Sequence, residues 1–194
     1  MHRFFLGLSR LMAVLGGIVL TALVVMVCAS ILGRSLNGLL HGAFLQSVAG
    51  GPANWLLSIG IGPVAGDFEL VETGMAFAIF AFLPLCQITS GHAAVDIFTN
   101  MMPPRVQRIL KMLVEIAFAA ALIIIAVQLK SGMDSKIRSG QTTFLLQFPV
   151  WWAYATSLVA AVVAAVVGCY MAAVRIAEAA TGRILLAEDA GAGH

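Results

Sequence analysis

The sequence predicts an all-α integral membrane protein with four transmembrane helices. It places both termini on the inner side and an interfacial amphipathic segment between helices 1 and 2. Three observations predict this. Of the 194 residues, 61% are hydrophobic and only 10% are charged, whereas a soluble domain carries about 25% charged residues. Mean hydropathy is +1.00. Four stretches are apolar over about the 20 residues a helix needs to cross about 30 Å of hydrocarbon. Backbone groups in lipid must be bonded within their own segment, so these stretches are helices. The third observation is an uneven distribution of Lys and Arg, set out below.

The first span is 11–33, a run of 23 residues without a charge. It imitates a signal peptide: His2, Arg3 and Arg10 precede an apolar core that ends in Cys28-Ala29-Ser30. A secretory core is about 7–15 residues long, so an uncleaved span is the expectation. A lipoprotein box would need a small residue where Val27 stands. The second span is about 70–90, with acids only at its start. The third is about 109–129, opened by Pro103-Pro104, since proline suits the first turn of a helix. The fourth is about 149–174, with no charge at all. Residues 1–186 are expected to form one membrane domain and 187–194, "AEDAGAGH", a disordered tail.

Between spans one and two, residues 35–66 carry Leu39, Leu40, Phe44, Leu45, Val48, Trp55, Leu56, Leu57 and Ile59, broken by Gly50-Gly51-Pro52. The stretch is too interrupted for a fifth span. An interfacial helix is the expectation, with a re-entrant segment or a plain loop as alternatives.

With the N-terminus inside, the inner connections hold Arg3, Arg10, Arg105, Arg108, Lys111, Arg175 and Arg183. The outer ones hold Arg34, Lys130, Lys136 and Arg138. Seven against four favours both termini inside. Trp151, Trp152 and Tyr154 then serve as anchors at the outer interface. Asp67, Glu69 and Glu72 form an acidic outer rim opposed only by Arg34, a surface for docking a soluble partner. A net charge of +2 gives no reason to expect a nucleic-acid partner.

The chemistry-bearing residues are few. Cys28, Cys86 and Cys169 stand singly, with no Cys-x-x-Cys pair. The stretch "SGHAAVDIF" at 90–98 places Gly91, His92 and Asp96 at a corner between spans two and three. His92 and Asp96 share a face if that piece is helical. A metal site needs three or four ligands, and the other histidines, His2, His41 and His194, lie near termini or on the opposite side. A hydrolytic set built on Ser90, His92 and Asp96 lacks further support. No histidine lies inside a span, which argues against haem, and no cofactor is expected. A polar clasp that fixes the corner, or a contact with another subunit or a lipid headgroup, fits these residues better. Proton and ion paths place charges deep in the membrane. Glu115 is the only candidate, and Lys111 one turn earlier offers it an ion pair. In span four Ala160, Ala164, Gly168 and Ala172 recur every fourth residue, a stripe that lets helix backbones approach a partner.

Two motifs, in order and at matching spacing, carry a family resemblance. One is Gly91-His92 followed by Val95, Asp96 and Ile97. The other is Gln141-Thr142 leading to Pro149, Trp151, Trp152 and Tyr154. With them the chain resembles the small permease, or Q-type, subunit of tripartite ATP-independent periplasmic (TRAP) transporters over nearly its whole length. The resemblance implies a bacterial inner-membrane scaffold and no catalytic residue. Its implied partners are a large permease (M-type) subunit, a periplasmic substrate-binding protein and membrane lipids. The large subunit would carry the substrate path and sodium sites for uptake of an organic acid. Two rival readings are a free-standing homodimeric four-helix carrier using Glu115 and a membrane enzyme at the 90–96 corner.

Overall fold

The computed structural model describes residues 2–42, 51, 55, 60, 62–89 and 103–181. Four long helices account for most of them: α1 His2–Leu40, α2 Asp67–Ile88, α3 Pro104–Ser139 and α4 Trp151–Thr181. All four are long and apolar enough to cross a membrane. At 1.5 Å per residue, the 39 residues of α1 reach about 58 Å and the 36 of α3 about 54 Å, well beyond a hydrocarbon core.

Helix ends follow local chemistry. Pro103 caps α3 and Pro104 occupies its first turn, where a missing amide proton is harmless. Gly140 ends α3 in a left-handed conformation, φ 61°. α2 ends at Ile88, ahead of Gly91, where the Thr89 hydroxyl donates to the Leu85 carbonyl at 2.7 Å. The span expected to run to about 90 therefore closes in a threonine turn at Thr89. One boundary needs correcting at the other end: residues 35–40 continue α1 and belong to no separate interfacial segment. Most of 43–61, and with it the expected interfacial helix, lies outside the described residues, as does the 187–194 tail.

The helices form one open row. α1 packs along α2, α2 along α4, and α4 along α3, while α1 meets α4 at only a few points. The order α1–α2–α4–α3 follows from which helices carry small side chains. Along α1, Ser9, Gly16, Leu23, Ser30 and Asn37 recur every seventh residue; Gly16, Leu23 and Ser30 meet α2, and Asn37 lies against Gly62, ahead of that helix. Ser9, Gly16 and Ser30 are buried. The space above Gly16 is taken by Ala81 and Ala78, and Leu23 fills the space left by Gly74. A seven-residue repeat keeps one seam facing its neighbour in a left-handed crossing.

α4 is the spine of the row. Ala160, Ala161, Ala164, Val167 and Met171 are almost wholly buried. On one flank Ile88 of α2 packs with Val167 and Met171, joined by Phe5 of α1. On the other, Leu122 of α3 packs with Ala164 and Ala165. The outer helices are left open: Val14, Ile18, Val25, Leu32 and Leu39 of α1 are all more than half exposed.

Candidate functional site

Two ends of the row are distinguishable. The loop end holds the close of α1, the start of α2, the close of α3 and the start of α4. The terminal end holds the opposite helix tips.

At the loop end the acidic rim is largely engaged within the chain. The Ser30 hydroxyl donates a hydrogen bond to Asp67, and the Val64 amide donates to the same Ser30 oxygen at 3.2 Å. Arg34 lies 3.7 Å from Asp67. These contacts tie the start of α2 to α1. Glu69 reaches across to the connection between α3 and α4: the amides of Leu145 and Leu146 donate to its two carboxylate oxygens at 2.7 and 3.0 Å. Of the three acids, Glu72 alone has an exposed side chain.

The connection that Glu69 holds, 141–150, is a closed hairpin. Thr142 bridges to Pro149. The Thr143 amide donates to the Phe148 carbonyl at 2.9 Å, and the Val150 amide to the Gln141 carbonyl at 3.0 Å. Gln147 is the only described non-glycine residue at positive φ, 55°. Its side chain is fixed at both ends: its amide donates to the Phe144 carbonyl at 2.8 Å, and its oxygen accepts from Thr142 at 3.1 Å. Leu146 lies over Gly66, which has φ 76° and no room for a side chain. The anchors expected at the adjoining helix start are on the surface or half-buried. Trp152 is exposed, Trp151 stands edge-on to it at 6.0 Å, and Tyr154 fills the space beside Gly132.

The small-residue stripe lies inside the chain. Ala160 and Ala164 are fully buried, Ala172 nearly so, and Gly168 admits the Gln87 amide and the Leu122 methyl. Its expected place at a partner or lipid contact gives way to an internal seam, because α4 is flanked by helices on both sides. Gln87, wholly buried, is a residue the sequence reading passed over. Its signal was a lone amide in an apolar run.

At the terminal end Arg175 and Glu178 form a buried ion pair at 2.8 Å, with side-chain exposures of 9% and 6%. Sequence reading treated Arg175 only as an orientation charge, although the spacing i, i+3 was its signal. Glu115 is buried on α3. Leu122 packs beside Gly168, and the antiparallel run of α3 and α4 then sets Glu115 level with Arg175. Phe5 stacks on Tyr170 at 4.3 Å, fixing the start of α1 there. Gly91, His92 and Asp96, with Ser90, lie outside the described residues. Among the described residues no three His, Cys, Asp or Glu side chains gather as a metal site would require.

A row of four apolar helices, with polar side chains at both ends and a few buried among the helices, defines a multi-span membrane subunit. The family model for the DctQ component of tripartite ATP-independent periplasmic transporters matches residues 23–180. The chain belongs to that family: it is a small permease subunit of a TRAP transporter and not an enzyme. Comparison with curated proteins and with solved structures gave no match.

Proposed function

We propose that this subunit is the scaffold against which a large permease subunit works during sodium-coupled uptake of an organic acid delivered by a periplasmic binding protein. One observation carries the reading. The four helices form an open row, so the described residues enclose no path and leave long apolar faces for another membrane protein. Such a row is only part of a transporter, which suits a family whose members are transporter components.

The reading places the subunit in the bacterial inner membrane with both termini in the cytoplasm, following the Lys and Arg distribution. Residues 1–186 act as one membrane domain. The 90–98 corner, with Gly91, His92 and Asp96, is assigned to contact with the large subunit or a lipid headgroup. The acidic rim is assigned to orienting the binding protein, with Glu72 as the member free to meet it.

The test is reconstitution. Vesicles containing this chain and the large permease subunit, with binding protein outside and an inward sodium gradient, should accumulate an organic acid. Omitting this chain should abolish uptake. Equal uptake without it would overturn the reading. Uptake by this chain alone, lost in Glu115→Gln, would instead favour the free-standing carrier.

A further inference from the structure

We propose that the hairpin 141–150 is a lipid-inserting element: Phe144, Leu145 and Leu146 enter the outer boundary between headgroups and acyl chains, and Glu69 holds them in position. The proposal rests on the chain being a membrane subunit, not on which partner it scaffolds.

Four observations carry it. First, the tip is apolar and open. Phe144 is 87% exposed, Leu145 60% and Leu146 39%. Three consecutive large apolar side chains at a hairpin tip present a wedge, not a scatter of surface residues.

Second, several backbone groups at the tip, the Leu145 and Leu146 amides among them, have partners within the chain. Irregular backbone enters an apolar medium only when its amides and carbonyls have partners. Here the Leu145 and Leu146 amides are held by Glu69, those of Thr143 and Val150 by opposing carbonyls, and the Phe144 carbonyl by Gln147. The pairing also serves Glu69, whose two oxygens find donors within the chain. The left-handed Gln147 is a further sign of a shape held deliberately, since such conformations persist only when the surroundings enforce them.

Third, the tip continues the bilayer-facing surface. It leads directly into Trp151 and the exposed Trp152, residues suited to the headgroup level. Phe68, next to Glu69, is 75% exposed beside it. α1, tied to this level through Ser30, still presents Ile31, Leu32, Leu36 and Leu39 farther along its axis.

Fourth, the chemistry favours lipid over a soluble protein. No charged residue occurs from Ser139 through Val174. Docking a soluble partner by steering uses charge complementarity; residues 141–150 carry no charge themselves, and the charges bonded to them are Glu69, engaged with the tip amides, and Lys136, which donates to the Gln141 side chain at 2.6 Å. Glu72, the neighbouring exposed acid, lies about one turn farther along α2 than Glu69, its Cα–Cβ bond tilted toward the helix start.

The test is spin labelling of the full chain in vesicles of phosphatidylethanolamine and phosphatidylglycerol. Leu145→Cys is made with Cys28, Cys86 and Cys169 replaced by alanine, and labelled. Phe144→Cys serves if the first variant does not fold. Relaxation by oxygen, which concentrates in lipid, should be strong. Relaxation by a water-soluble nickel complex should be lost, while a label at Ser139→Cys retains it. Glu69→Ala should restore the nickel effect at position 145 with helix content unchanged. Strong nickel relaxation at 145 in the parent background would overturn the proposal. So would loss of both effects, in the chain alone or only after the large subunit is added, because the tip would then be covered by protein.

Discussion

Gly33 and Gly38 lie about 1.4 helical turns apart near the end of α1 and so face different surroundings. A methyl group added at Gly33 would sit 2.2 Å from the carbonyl oxygen of Gly62, a backbone atom that cannot swing aside. One added at Gly38 meets nothing within 4 Å. Gly33→Ala should therefore destabilise the protein by about 1–3 kcal/mol through overpacking. Gly38→Ala should be neutral or gain up to about 1 kcal/mol from helix propensity. Thermal unfolding of the purified protein in one detergent checks both. A second residue-level test concerns Arg175 and Glu178, whose buried ends meet at 2.8 Å. Removing one partner of a buried pair costs about 3–5 kcal/mol where nothing else compensates the charge left behind, and here Glu115 lies level with Arg175. Glu178→Ala should therefore destabilise by less than that range, and the double variant Arg175→Met with Glu178→Leu should cost less than the sum of its two single variants. Additive losses would mean that the two charges do not act as a pair.

Among the elements, the connection between α3 and α4 depends on α2. Because α2 and α4 run in the same direction, the start of one lies beside the start of the other, and Glu69 reaches Leu145 and Leu146. Reversing charge at Glu69 should therefore unseat the hairpin, read as increased protease sensitivity between Gln141 and Val150. Glu72→Lys should leave the hairpin intact and weaken uptake at limiting binding protein, with recovery as binding protein is raised. If Glu69→Lys leaves protease sensitivity unchanged, the clamp is not what holds the loop. Much of this layer was legible in the sequence. Hydropathy located the four helices, and the prolines at 103 and 104 marked the start of α3. What hydropathy does not contain is a helix end beyond the hydrocarbon: residues 35–40 belong to α1 although Arg34 had closed the charge-free run. Of the rim acids, Asp67 meets Ser30 as well as the Arg34 visible in the sequence, and Glu69 meets two backbone amides. Sequence separations of 37, 76 and 77 residues hide such pairings from local pattern.

Over the whole molecule, the order α1–α2–α4–α3 shapes what the subunit is able to do. The four-residue stripe on α4 was visible, but a stripe cannot say whether its neighbour is the same chain or another. Here α2 and α3 flank it, so the faces left for partners are those of the outer helices, above all α1. The seven-residue series that includes Gly16, Leu23 and Ser30 carried the α1–α2 seam and was hidden by the general apolarity around it. The proposed arrangement also fixes sidedness: reporter fusions after Ser139 and after His194 should report opposite compartments, and the same compartment for both would refute the inside placement of the termini. The account's central claim is that this open row is completed by a large permease subunit. Its most direct test is the mass of the particle carrying a tagged copy of this chain, solubilised from membranes that also produce the large subunit and supply sodium-dependent uptake. The account predicts a stable particle containing one of each. A tagged chain that migrates alone or as a homodimer, while uptake in those membranes continues, would contradict it.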